Sequence, residues 1–208
     1  MKGNIKKLAL VVIIAVIPML IAVATASAAG ETIHGKYAIA GYNISLVAIL
    51  GFNDSLQANG GAGGPWFLAS STWSGVLTFN KDGTGSFTGI FGGLTVYSSA
   101  IGAPPDGVAG NLSWGFTYTI DNGNITFTYV KGTLEEDFTS GPNAPPSPNS
   151  KGYINITQPW DGVISSDGKI IALFWGPLIA DVTSDKANTT PTGVQSMSLV
   201  ALHGFKIE

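Results

Sequence analysis

The sequence predicts an all-β domain: an eight-stranded antiparallel up-and-down barrel. Apolar residues recur at every second position through most of the chain, which is the signature of strands with one buried face. Gly-containing turns punctuate these runs. No window beyond the N-terminal segment carries an apolar stripe at helical spacing. The connections alternate long, short, long, short, long, short, long, so four long loops gather at one end. Three tight turns and both termini fall at the other. An even-stranded meander can pair its first strand with its last and so remove its edges. A β-sandwich is the alternative packing of the same strands.

The elements follow in order. Lys2, Lys6 and Lys7 precede an apolar run from Leu8 to Val23, and Ala26-Ser27-Ala28 supplies the small-x-small sequence of a cleavage site. Residues 1–28 therefore read as a signal peptide and 29–208 as a single domain, exported to the periplasm or beyond the cell. The competing reading is an uncleaved anchor, because no charge interrupts Leu8 to Gly30; Pro18 and the Ala-x-Ala site favour cleavage. Ile33, Tyr37 and Ile39 form the apolar face of the first strand, with His34 on the other face. Trp66, in a Gly-rich loop near 50–71, has Pro65, Phe67 and Leu68 beside it and reads as part of a lid or as a contact aromatic. Trp73, Leu77 and Phe79 lead into the turn Asn80-Lys81-Asp82-Gly83 and a return strand through Phe87. After a loop near 98–111, Leu112, Trp114, Phe116, Tyr118 and Ile120 alternate with polar residues. Asp121-Asn122-Gly123 then suits the positive φ angles of a hairpin, and Ile125, Phe127 and Tyr129 return. A Pro-rich loop near 138–150 precedes residues 152–165, read as one bent or bulged strand. Ser165-Ser166-Asp167-Gly168 is the third tight turn, and a loop near 184–193 leads to the last strand.

Composition excludes several chemistries. The chain has no Cys and no Arg, and its ten basic residues are all Lys against thirteen acids. Thiolate, iron–sulfur and zinc-ribbon chemistry are thus absent, as is bidentate Arg recognition. Without the signal the net charge becomes -6, which disfavours nucleic acid as a partner. No Gly-x-Ser-x-Gly elbow or phosphate-cradling Gly loop occurs, so no catalytic residue, metal ligand or cofactor is assigned.

Two His and one acidic cluster remain. Met197, Leu199, Ala201, His203, Phe205 and Ile207 share a mostly apolar face, which predicts that His203 points inward, away from His34. Glu135-Glu136-Asp137 lacks the alternating ligand spacing of a calcium loop and reads as a solvated loop. The aromatic residues are the strongest functional lead. Trp73, Phe79, Phe87, Trp114, Phe116, Tyr118, Phe127 and Tyr129 fall on the apolar strand faces. With His203 they would line a cavity if the barrel is hollow and form plain core if it is filled.

Gly35-Lys36-Tyr37, Phe79-Asn80-Lys81-Asp82-Gly83-Thr84-Gly85, Phe116-Thr117-Tyr118-Thr119 and the stretch from Asp161 to Lys169 extend along most of the domain. In these motifs the chain resembles a group of small exported bacterial proteins of unknown function with calycin-like, or lipocalin-like, barrels. The resemblance implies a fold and a compartment and carries no activity. Three functions are then expected to compete. The first is a non-enzymatic exported barrel that binds a small apolar ligand or a partner at its long-loop end. The second is an integral outer-membrane barrel, the only case with a membrane partner. The third is a barrel isomerase or cyclase using Tyr118, Tyr129 and His203.

Overall fold

The computed structural model describes residues 33–61, 64–142, 151–187 and 191–208. The segment read as an export signal lies outside the described residues. Among them there is no helix. The strands are β1 (Gly35–Ala48), β2 (Trp66–Phe79), β3 (Thr84–Tyr97), β4 (Asp106–Asp121) and β5 (Asn124–Tyr129), followed by β6 (Glu135–Ser140), β7 (Lys151–Ile156), β8 (Trp160–Ile164), β9 (Ile170–Thr183) and β10 (Pro191–Lys206).

All pairings are antiparallel and they close on themselves. β1 pairs with β2 on one side and with β10 on the other, and β10 pairs in turn with β9. β5 and β6 share one position beside β4, while β7 and β8 share the next beside β9. Ten strands thus make a ring of eight positions. The stretch 152–165 is split into β7 and β8 by Thr157-Gln158-Pro159; Pro159 has no N–H to give to a ladder. The β5–β6 position is split by residues 130–134. There Thr133 Oγ1 accepts from Gly115 N–H at 2.8 Å and donates to the Val130 carbonyl at 2.6 Å.

The three tight turns form where turn chemistry predicts them. Asn122 and Gly123 both take positive φ, at 51° and 76°, the requirement of a two-residue hairpin with the right twist. Asp82 Oδ1 accepts from the Thr84 N–H and hydroxyl to brace its turn, and Asp167 does the same with Ser165 and Lys169. Two loops are shorter than their composition suggests. β2 begins at Trp66 and β4 at Asp106. Trp66 is therefore a strand residue rather than part of a lid, held by its N–H on Ser98 Oγ and its carbonyl on Ser98 N–H.

Register determines which side chains face inward. Buried Tyr37 and Ile39 place the odd residues of β1 on the inner face, and Ile39 pairs with Gly204 while Ala40 pairs with His203. Inward positions on β10 are consequently Ser196, Ser198, Val200, Leu202 and Gly204. His203 is exposed on the outer face, which corrects the expectation that it points inward. The reason is that the outer face of β10 is the more apolar of the two. Leu199 and Phe205 are 54% and 57% exposed, and across β9, β1, β2 and β3 they are joined by exposed Phe174, Ile170, Tyr42, Leu68, Ile90, Leu94 and Val96. The outer faces of β4 to β8 are polar instead, carrying Asn111, Thr117, Thr126, Glu135, Asp137, Lys151 and Asp161.

Inside, aromatic rings and glycines fit together at the tight-turn end. Phe116 lies over Gly85, so that a Cβ on Gly85 would sit 2.3 Å from Phe116 Cζ and 2.6 Å from the Thr78 carbonyl. Neither the packed ring nor the backbone can retreat far. Gly85→Ala is expected to destabilise the fold by about 1–3 kcal/mol through overpacking, read as a lowered midpoint in urea unfolding with an unchanged slope.

Candidate functional site

The aromatic residues singled out from the sequence converge, and they converge on one another. Phe79, Phe87, Trp114, Phe116 and Phe127 are almost wholly buried. Trp114 meets Trp160 edge to face at 4.5 Å between ring centroids, and Phe116 meets Phe127 at 4.9 Å. Phe79 stands at the centre of Tyr37, Phe116 and Tyr118. Such pairs add to the free energy of burial through ring geometry. This half of the inner face, toward the tight turns, is filled core.

The tyrosine hydroxyls are committed to structural bonds. Tyr118 Oη lies 2.7 Å from the carbonyls of both Ile33 and Asn80. Tyr129 Oη accepts from Leu134 N–H across the break between β5 and β6. Tyr37 donates to the Gly168 carbonyl at 2.5 Å, and burial, with Tyr118 and Asp167 nearby, pushes its pKa up to about 12.

Toward the long loops the inner face changes character above Trp73. Trp73 packs its ring against Phe87 at 6.5 Å, is half-buried, and donates its indole N–H to Ser71 Oγ at 3.1 Å. Beyond it the inward positions of β1, β2, β3 and β10 include Asn43, Ser45, Ala69, Ser71, Gly93, Thr95, Ser196 and Ser198. Four of them form a hydrogen-bonded wall: Asn43 Nδ2 donates to Ser45 Oγ at 2.9 Å, Ser45 and Ser198 share a 2.8 Å contact, and Ser198 and Ser196 one of 3.1 Å. At the rim Phe67 packs on Tyr97; burial and a hydrogen bond with Asp106 raise the Tyr97 pKa.

The sequence missed the most consequential residue here. Glu135-Glu136-Asp137 is no solvated loop but the start of β6. Glu135 faces outward between Lys151 and Lys186, bonded to both, and these bonds hold its pKa below the usual carboxylate range. Glu136 pairs with Leu112 and with Gly152, and since Leu112 is core, Glu136 shares the inner face. Its Oε2 and Phe138 Cε2 lie 3.0 Å and 3.5 Å from the point where a Gly152 Cβ would stand. The missing side chain makes the room that the carboxyl uses. Phe138 in turn meets Phe91 edge to face at 5.5 Å. The Glu136 carboxyl is enclosed by protein, and the resulting desolvation pushes its pKa up to about 7. Yet the residue keeps part of its accessible surface, the combination expected of a side chain facing a recess.

Among the described residues no group of His, Asp and Glu is placed to hold a metal ion. Fold and site together define an antiparallel ring, filled with aromatic side chains at one end and lined at the other by small polar residues, with the Glu136 carboxyl facing inward between Leu112 and Gly152. Comparison with protein-family models, curated proteins and solved structures returns no match in any of the three.

Because folding raises the Glu136 pKa from the ordinary carboxylate value to about 7, the folded state holds this proton in a range where the unfolded state has lost it. Its contribution is fully present below about pH 4.5 and is lost as pH rises through about 7. Chemical unfolding should therefore give a stability that falls between pH 5 and 7.5, and Glu136→Gln should flatten that slope.

Proposed function

We propose that the protein is an exported, non-enzymatic β-barrel whose long-loop half is an open cup for a small ligand with an apolar body and a polar end. The observation that carries this reading is the change along the inner face at Trp73, from interlocked aromatic rings to small side chains, of which Asn43, Ala69, Ser71, Gly93 and Ser198 are half-buried and Ser45, Thr95 and Ser196 buried. Eight strands leave a lumen that side chains either fill or leave open to one small ligand. Serine, glycine and alanine cannot fill what Phe116, Trp114 and Phe127 fill below them. Trp73, Phe91 and Phe138 offer apolar contact, and the Asn43–Ser45–Ser198–Ser196 wall offers donors and acceptors, the mixture usual in ligand sites. The isomerase or cyclase reading loses its support, since the Tyr118 and Tyr129 hydroxyls are bonded to backbone and His203 is outside.

A second reading, an integral outer-membrane barrel, is favoured by the exposed apolar wall of β9, β10, β1, β2 and β3. A lipid-embedded barrel needs that belt on every strand, and the outer faces of β4 to β8 carry carboxylates and Lys151 instead. Fractionation separates the two: recovery in the soluble exported pool supports the cup, and extraction only by detergent supports the membrane barrel.

The cup itself is tested by N-phenyl-1-naphthylamine, a neutral apolar probe. Saturable binding with quenching of tryptophan emission is expected, and Trp73→Phe should remove most of the quenching. Absence of saturable binding would count against the cup.

A further inference from the structure

We propose that the cup selects ligands bearing a cationic amine, with the Glu136 carboxylate as counter-charge and the Phe91–Phe138 pair as aromatic wall. This rests on the cup reading above and adds the chemical class of its ligand.

Two strands flank Glu136. On β4 its ladder partner is Leu112, and on β7 it is Gly152; neither supplies a donor side chain. All seven lysines of the described residues are exposed, and two of them, Lys151 and Lys186, are taken by Glu135 on the outer face. No hydrogen bond or ion pair engages the Glu136 side chain among the described residues. The other acid at an inward position, Asp106, sits at the rim beside Tyr97. The recess thus holds negative charge with no positive charge of its own.

A buried carboxylate without a partner costs free energy, and a ligand that supplies the partner recovers it. An ammonium group supplies three donors and a full opposite charge. The aromatic neighbours fit the same group. Phe138 lies beside the carboxyl at Gly152, and Phe91 stands edge-on to Phe138, so a cation held by Glu136 also meets a ring. A fatty acid or phosphate would instead meet Glu136 as like charge. The Asn43–Ser45–Ser198–Ser196 wall carries no net charge and accommodates either sign, so Glu136 decides the preference.

The experiment is displacement of bound N-phenyl-1-naphthylamine from the full chain at pH 7.5. The competitors are dodecylamine, dodecanol and dodecanoate, each below its micellar concentration. Dodecylamine should displace the probe about tenfold more tightly than dodecanol, with dodecanoate the weakest. In Glu136→Gln, the displacement constants of amine and alcohol, each referred to that variant's own probe affinity, should become equal. The proposal is overturned if the wild-type protein binds the alcohol as well as the amine, a comparison that needs no variant. It is overturned equally if the preference for amine survives in Glu136→Gln. A probe that does not bind at all removes the cup and the amine preference together, and so marks a different failure from a probe that binds without preference.

Discussion

The ladder between β1 and β10 is the constraint on which the rest depends. It runs from Tyr37 opposite Lys206 to Ala48 opposite Gln195 and joins the two ends of the described chain. Strand parity has a period of two, so with β1 held in place a slip of β10 by one residue would turn Val200 and Leu202 outward and bring Leu199 and His203 inside. β1 passes the same parity to β2, where Leu77 and Phe79 face inward, and β2 passes it to Phe87 and Phe91. The chain ends reinforce the register: Lys36 N–H donates to the Glu208 carbonyl and Ile207 N–H to that of Lys36. The Lys36–Glu208 ion pair beside them is exposed and adds little.

Within that register the interior divides into an aromatic part near the tight turns and a part lined by small polar side chains toward the long loops. Rings stacked over Gly85, Gly75 and Gly89 bury large apolar areas near the tight turns. That core makes it affordable to spend the other half on small polar groups and on Glu136. The division is not perfect. Trp114 Nε1 is buried without a hydrogen-bond partner, a cost of about 1–3 kcal/mol that the edge-to-face contact with Trp160 partly offsets. Trp114 is two residues from Leu112, the ladder partner of Glu136, so this indole and the Glu136 carboxyl lie on adjoining rungs.

Much of the fold was legible in the sequence because turn chemistry is local. Asn122-Gly123, Gly83 and Gly168 announce their hairpins through the φ angles that they alone tolerate easily, and the alternation in β4 and β5 is clean. Parity was legible only where the inner face is the more apolar one. On β10 it is not: Val200 and Leu202 point in between serines and a glycine, while Met197, Leu199 and Phe205 point out. A rule that places the apolar face inside therefore turned His203 the wrong way. The upper parts of β2 and β4 read as loop in the sequence because they adjoin Asn59-Gly60-Gly61-Ala62-Gly63-Gly64-Pro65 and Pro104-Pro105-Asp106-Gly107, whose composition is that of loops. Glu136 was hidden by the break at 130–134, which resets the alternation. The signal was present in Leu134, Glu136 and Phe138, an apolar period of two with a carboxylate at its centre.

The central claim is that the inner face is open at the long-loop end and filled at the other. The absence of native cysteine allows a direct measurement, the reaction rate of a single introduced thiol with a small aqueous disulfide reagent in the folded protein. Ala69→Cys places the thiol on the upper inner face and Ile125→Cys among the aromatic rings. The thiol at 69 should react at a rate approaching that of an exposed cysteine, and the thiol at 125 should stay protected until the protein unfolds. Equal protection at both positions would contradict that claim.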